Sequence, residues 1–224
     1  MGGAATQRSP YSFLNLVANW DERLRGIYAI VDRASTADPV ALLDAILAGG
    51  IRVVQYRAKA GVDRSLVRAL HARTQAADAV LVINDDFEAA FDADGWHAGQ
   101  EDLAGRDLGG VRARLGERIF GVSCGVAPQA REAVAAGADY VGTGPFAGTA
   151  TKGDAGAPIG APGVAAVVAA VARPVVAIGG IGLGNLAAVR ASGAHMAAVI
   201  SALAQASDPQ ERARALVRSW DVPR

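Results

Sequence analysis

The chain has 224 residues with 22 basic and 22 acidic side chains, a formal net charge of zero, and 51% apolar residues. That balance fits one large soluble domain with a sizeable core and removes the sequence-independent pull toward nucleic acid that a basic protein has. The single cysteine, Cys124, excludes an internal disulfide, no apolar run reaches the roughly 18 residues of a membrane span, and the N-terminus lacks the pattern of a signal peptide. The expectation is a cytoplasmic protein with no nucleic-acid and no membrane partner, and a homo-oligomer is left open.

Residues 1–8 read as a tail. Ser9-Pro10 then offers an N-cap followed by a proline at the first helical position. Phe13, Val17, Trp20 and Leu24 follow at spacings of four, three and four, one stripe of an amphipathic helix that Gly26 ends. This helix is expected to pack across the bottom of the following domain.

From Ile27 a unit repeats: a short apolar strand, a polar or glycine turn, and an Ala/Leu/Val-rich helix. Strands are expected at 27–31, 51–56, 79–83, 94–97, 118–122, around 140–141, 174–178 and 195–200. Helices are expected at 39–48, 64–77, 87–91, 108–115, 128–136, 162–172, 185–192 and about 208–220. Eight alternations with strands buried on both faces predict a parallel α/β architecture, a single (β/α)8 TIM barrel with an extra N-terminal helix. Residues 1–26 then form the N-terminal tail and helix, and 27–224 the catalytic barrel. A doubly wound sheet remains the alternative. Gly180, Gly182 and Gly184 stand at alternate positions, but the last glycine of the dinucleotide fingerprint is missing.

The polar and glycine-rich stretches fall at the C-terminal ends of these strands, which in a barrel share one rim where active sites sit. Side chains alternate with period two, so Gln55, Arg57 and Lys59 leave the second strand on one side, a socket for a polyanion such as diphosphate. Only two of the 22 cations are lysine, Lys59 and Lys152. In so arginine-rich a chain, lysine marks places where a compact point charge serves better. Asp85 and Asp102 lie on neighbouring strand ends and suit Mg²⁺, which takes one or two carboxylates plus water and substrate phosphate. Asp85 or Asp86 would equally suit a helix cap, and Asp102 a turn. Gly179-Gly180-Ile181 and Ser201-Ala202 resemble the backbone phosphate site of barrels, or else a turn that needs glycine. His71 reads as a surface residue, and His97 and His195 as structural. No His/Cys spacing suggests zinc, and Cys124 has no evident base partner.

These motifs, in this order, resemble the thiamine phosphate synthase family. The matching stretches are Val54-Gln55-Tyr56-Arg57-Ala58-Lys59, Ile83-Asn84-Asp85-Asp86, the run from Asp94 through Trp96, His97, Gly99 and Asp102 to Leu103, Gly121-Val122-Ser123, the run from Gly137 to Pro145, Thr149-Ala150-Thr151-Lys152, Ala177-Ile178-Gly179-Gly180-Ile181 and Val199-Ile200-Ser201-Ala202. The resemblance implies a TIM-barrel transferase that uses Mg²⁺. It joins hydroxymethylpyrimidine diphosphate to a thiazole phosphate, or its carboxy form, by a dissociative substitution that releases diphosphate. It implies that Gln55, Arg57, Lys59, Asn84, Ser123 and Lys152 bind the pyrimidine diphosphate. Among these, Arg57, Lys59, Ser123 and Lys152 are the expected catalytic residues. Asp85 and Asp102 would hold the metal, and Thr149, Thr151, Gly180, Ile200 and Ser201 the thiazole phosphate.

Cys124-Gly125, Ala147-Gly148 and Trp96 depart from the family pattern, and none is expected to touch a matched ligand position. A thiazole tautomerase-like isomerase and a non-catalytic phosphate-binding regulatory barrel are the alternatives. The loop 144–160, with five glycines and two prolines, is expected to act as a lid that carries Lys152 to the diphosphate.

Overall fold

A computed structural model describes residues 20–148 and 156–222. Eight parallel strands close on themselves in chain order: β1 (Gly26–Asp32), β2 (Val53–Arg57), β3 (Val80–Asn84), β4 (Gly95–Ala98), β5 (Ile119–Ser123), β6 (Tyr140–Thr143), β7 (Val175–Ile178) and β8 (Met196–Val199). The closing pair is β1 with β8, with Tyr28 opposite Ala198. The expected TIM barrel is therefore the fold, and the doubly wound sheet is excluded.

In chain order the helices are α1 (Trp20–Arg23), α2 (Pro39–Ala48), α3 (Arg64–Ala76), α4 (Gln100–Leu103), α5 (Leu108–Leu115), α6 (Ala127–Ala135), α7 (Gly160–Val168), α8 (Leu186–Ala191), α9 (Ser201–Ala204) and α10 (Pro209–Asp221). Their starts follow local chemistry. Asp38 accepts from the N–H groups of Val40 and Ala41, Asp63 from those of Ser65 and Leu66, and Asp208 from that of Glu211. Pro39 and Pro209 occupy the first turns, where a missing N–H costs nothing.

Two expected elements differ. The stretch at 87–91 is no α-helix but a 3-10 turn at Ala89–Asp92, closed by Phe91 N–H to Glu88 and Ala93 N–H to Ala90. Asp86 accepts from Ala89 N–H, so the connector is pinned after a single turn. The helix expected at 162–172 runs instead over Gly160–Val168 and closes in a turn, with Ala169 N–H donating to the Ala165 carbonyl and Ala170 N–H to that of Val167.

Period-two alternation sorts the strand residues into two cores. Tyr28, Ile30, Val53, Val80, Val82, Ile119, Tyr140, Val176, Met196 and Ala198 fill the barrel interior. Their neighbours, among them Ala29, Val54, Leu81, Phe120 and Ala197, pack outward against the helices. From below, Trp20 and the buried Leu24 join the interior cluster. The Trp20 indole donates to the Glu117 carbonyl, Arg23 pairs with Asp78, and Arg173 pairs with Asp21. Each partner precedes a strand, so α1 lies against the N-terminal end of the barrel; the expected N-terminal helix before Trp20 lies outside the described residues. The exposed ion pairs contribute little, and the apolar contacts hold it.

Candidate active site

At the opposite end, two adjoining cavities of about 340 and 420 Å³ share Arg57, Asn84, His97, Gly99, Glu101 and Ser123. Gln55, Gly180, Ile200 and Ser201 line the first; Lys59, Asp85 and Asp102 line the second. The strand ends thus bring together, in one cleft, every expected site residue that the structure describes. Thr149, Thr151 and Lys152 lie outside the described residues, as do all of residues 149–155 of the expected lid 144–160. The described ends of that loop are held to the barrel and to each other: Phe146 N–H donates to the Ile178 carbonyl, Ala147 N–H to that of Gly179, and Ile159 N–H to that of Pro145.

Arg57 ends β2 and is not a free cation. Its Nη1 donates to Asp32 Oδ2 at 2.7 Å, with Asp32 itself buried at the end of β1. Asp32 Oδ1 also accepts from Ala34 N–H. A pair this enclosed fixes the guanidinium, and removing either partner typically costs about 3–5 kcal/mol. Lys59, two residues on, is exposed at the lip. Asp32 was invisible as a site residue because an acid ending a strand has no sequence signature. Its role appears only in the β1–β2 register, which sets Asp32 opposite Arg57.

Asp85 follows β3 with φ +64, a left-handed backbone that non-glycine residues seldom adopt. Burial, and then the facing Asp102 carboxyl, raise its pKa, while Arg57 and Lys59 pull it down. The two adjacent acids divide the work: Asp86 caps the 3-10 turn, whereas Asp85 turns toward Asp102. Asp102 Oδ2 accepts from Gly99 N–H at 2.8 Å, so the side chain caps the turn while lining the cleft. Two hard carboxylates beside a cationic pocket match the donor set of Mg²⁺, which completes its shell with water and substrate phosphate. Among the described residues no group of three or more His, Cys, Asp or Glu side chains could hold a metal ion.

Trp96 corrects an expectation. Its indole N–H donates to the Asp85 carbonyl at 3.1 Å, so this departure from the family pattern does touch a matched position. Cys124 is buried with its thiol pushed up to about 12, first by burial, so it is no thiolate nucleophile.

The cavity floor is polar. Gln55 Nε2 donates to the Tyr28 hydroxyl at 3.0 Å, and the Tyr28 and Tyr140 hydroxyls are 2.8 Å apart. Tyr140 meets His97 Nδ1 at 2.8 Å, and His97 Nε2 meets Ser123 Oγ at 2.9 Å. Gly121 makes this crossing feasible, because a Cβ there would sit 2.1 Å from the Tyr140 ring. His97 therefore belongs to the site and not merely to the strand scaffold. The alternation that pointed Gln55 and Arg57 inward applies equally to Gly95 and His97, so the signal was present. Gln100, whose Nε2 donates to the Ser123 carbonyl, braces the same residue.

Across the cleft, Gly179 and Gly180 have φ +100 and +62, and a Cβ on either would strike Pro145 or the Gly148 carbonyl. Asn185 braces this turn, accepting from Gly182 N–H and donating to the Gly180 carbonyl. Ser201 opens α9 beside it, where the first N–H groups have no intrahelical acceptor. Backbone donors thus line this half of the cleft and cations the other.

A sequence model of the family described as thiamine monophosphate synthase matches residues 27–203. The thiamine-phosphate synthase of Herpetosiphon aurantiacus is 45% identical over 195 residues, 84% of this chain and 93% of the relative. That of Moorella thermoacetica is 45% identical over 181 residues, 78% of this chain and 85% of the relative. The solved thiamine phosphate pyrophosphorylase of Pyrococcus furiosus superposes with TM-score 0.80 at 30% identity, covering 89% of this chain and 96% of that one.

Proposed function

The chain belongs to the thiamine monophosphate synthase family, and from that premise we propose how its rim carries the reaction. It is a transferase that condenses a pyrimidine and a thiazole moiety into thiamine phosphate. Gln55, Arg57, Lys59, Asn84 and Ser123 hold the pyrimidine diphosphate, together with Lys152 from outside the described residues. Gly180, Ile200 and Ser201 hold the thiazole phosphate, with Thr149 and Thr151 assigned from sequence alone. Asp85 and Asp102 would hold Mg²⁺, which when bound spreads the charge of the leaving diphosphate.

The bond from the pyrimidinylmethyl carbon to diphosphate oxygen breaks with its electron pair on the diphosphate. The cations Arg57, Lys59 and Lys152 stabilise that developing charge. The thiazole ring nitrogen then supplies the pair for the new carbon–nitrogen bond. No protein nucleophile is called for, in keeping with the protonated Cys124 thiol. We assign the chain to the cytoplasm; no helix among the described residues is long and apolar enough to cross a membrane.

The observation that carries this reading is the two-ended cleft, with cations and a carboxylate pair on one side and a glycine turn with a helix start on the other. Incubation of the protein with pyrimidine diphosphate, thiazole phosphate and Mg²⁺ should yield thiamine phosphate and diphosphate by mass spectrometry. Neither product forming, or full turnover in excess EDTA, would overturn the substrate or the metal assignment respectively.

A further inference from the structure

Resting on the pyrimidine half of that reading, we propose that Tyr28, Tyr140 and His97 are positioning residues. They form a directional hydrogen-bond chain that ties the donor–acceptor polarity of Ser123 to that of Gln55. The links of 3.0, 2.8, 2.8 and 2.9 Å connect five residues on five strands. Gln55, Tyr28, Tyr140 and His97 are 3%, 2%, 1% and 7% exposed, so water competes little for these bonds.

The direction follows from which atoms can give a proton. Gln55 Nε2 is a donor only, so the Tyr28 oxygen accepts and its proton goes to Tyr140. The Tyr140 proton goes to His97 Nδ1, which leaves the ring proton on Nε2 to donate to Ser123 Oγ. Ser123 then keeps its own proton for the cavity. Burial holds both phenols well above their ordinary range, so each remains a neutral donor.

Turning the Gln55 amide over would reverse every link and make Ser123 an acceptor toward the cavity. Gln55 and Ser123 both line that cavity. With its NH₂ engaged by Tyr28, Gln55 keeps its carbonyl oxygen as the acceptor for a ligand. The chain thus offers one acceptor and one donor that cannot be switched independently. A 4-aminopyrimidine, with an exocyclic donor beside a ring-nitrogen acceptor, has the matching polarity; its 4-oxo counterpart, a carbonyl beside a ring N–H, has the opposite one.

The test compares inhibition constants of an unreactive 4-aminopyrimidine and its 4-oxo counterpart carrying the same phosphate tail. The wild-type protein should prefer the amino compound by about tenfold or more, the equivalent of one ordinary hydrogen bond. Tyr140→Phe keeps the ring that packs edge-on against Tyr28 and stacks on His97. It should narrow the preference to about threefold while binding of the phosphate tail alone is unchanged. A preference unaltered in folded Tyr140→Phe would overturn the chain. Should that variant fail to fold, ¹⁵N imidazole NMR of the ligand-free wild-type protein decides, with His97 assigned by its loss in His97→Gln. A neutral ring protonated at Nε2 supports the proposal; a ring protonated at Nδ1 overturns it. This reading needs no turnover, so it stands or falls separately from the assigned reaction.

Discussion

The indole of Trp96 donates to the backbone carbonyl of Asp85 at 3.1 Å, tying a core residue of β4 to a left-handed residue at the cleft. Trp96 is fully buried, stacked on Phe120 and edge-on to Phe87. An aliphatic residue at this position could fill space but could not donate. Trp96→Phe should keep most of the packing and lose the N–H. The expected result is Mn²⁺ binding weakened about threefold to tenfold, the worth of roughly 1 kcal/mol for one hydrogen bond. Isothermal titration checks it, and unchanged affinity would mean the indole only fills the core.

The Asp85–Asp102 pair sets up an opposition between stability and function. The Asp85 pKa is raised by burial and then by Asp102. A carboxyl whose pKa is raised on folding holds its proton more tightly in the folded chain. Its contribution is therefore fully favourable below the ordinary value near 4 and is lost as pH rises through the raised folded value. At neutral pH the metal-free pair costs stability. Asp102→Asn should raise the melting temperature in EDTA at pH 7, and the gain should fade as pH falls toward 4. The same variant should lose most of its activity, partly recovered at high Mg²⁺. A variant that melts no higher than wild type in EDTA would show that the two carboxyls do not repel.

How much of this was legible beforehand follows from period. Side-chain alternation along short strands was enough to place Gln55, Arg57, Asn84 and Ser123 on one rim, because parallel strands of a barrel all end there. It would have placed His97 too, had the same alternation been applied to β4. Asp32, Tyr28 and Tyr140 were not legible, since their partners lie 25 or more residues away and meet only through strand register. The 3-10 turn was missed because its length is decided by the Asp86 cap and the packing of Phe87 on Trp96, not by periodicity.

Lys152 is assigned from sequence, as one of only two lysines among 22 cations. Lys152→Ala should slow product formation by about two orders of magnitude, the scale of removing one charge-stabilising donor from a developing oxyanion. Thiazole phosphate binding should be nearly intact. Lys152→Arg should restore part of the rate, because a planar fork replaces a point charge poorly. Normal turnover of the alanine variant, measured by diphosphate release, would remove Lys152 from the site.

The last prediction concerns the far end of the barrel. Leu24 is 1% exposed and Trp20 packs beside it on the interior cluster, at the end where β1 begins. The cleft lies at the other ends of the same strands, with the apolar interior between them. A cavity at the bottom should therefore weaken the barrel without reaching the chemistry. Leu24→Ala is expected to cost about 2–4 kcal/mol, the usual range for truncating a buried leucine. We propose that residues 1–26 form a separate structural segment, and removing 1–25 should cost more than the point substitution, since it takes Trp20 as well. In both variants the rate constant of the folded fraction should match wild type. Denaturant titration gives the first quantity, and single-turnover kinetics scaled to the folded fraction gives the second. A truncated protein as stable as the intact chain would show that Trp20 and Leu24 merely rest on the barrel. A folded variant with a lowered rate constant would show that the bottom of the barrel shapes the cleft after all.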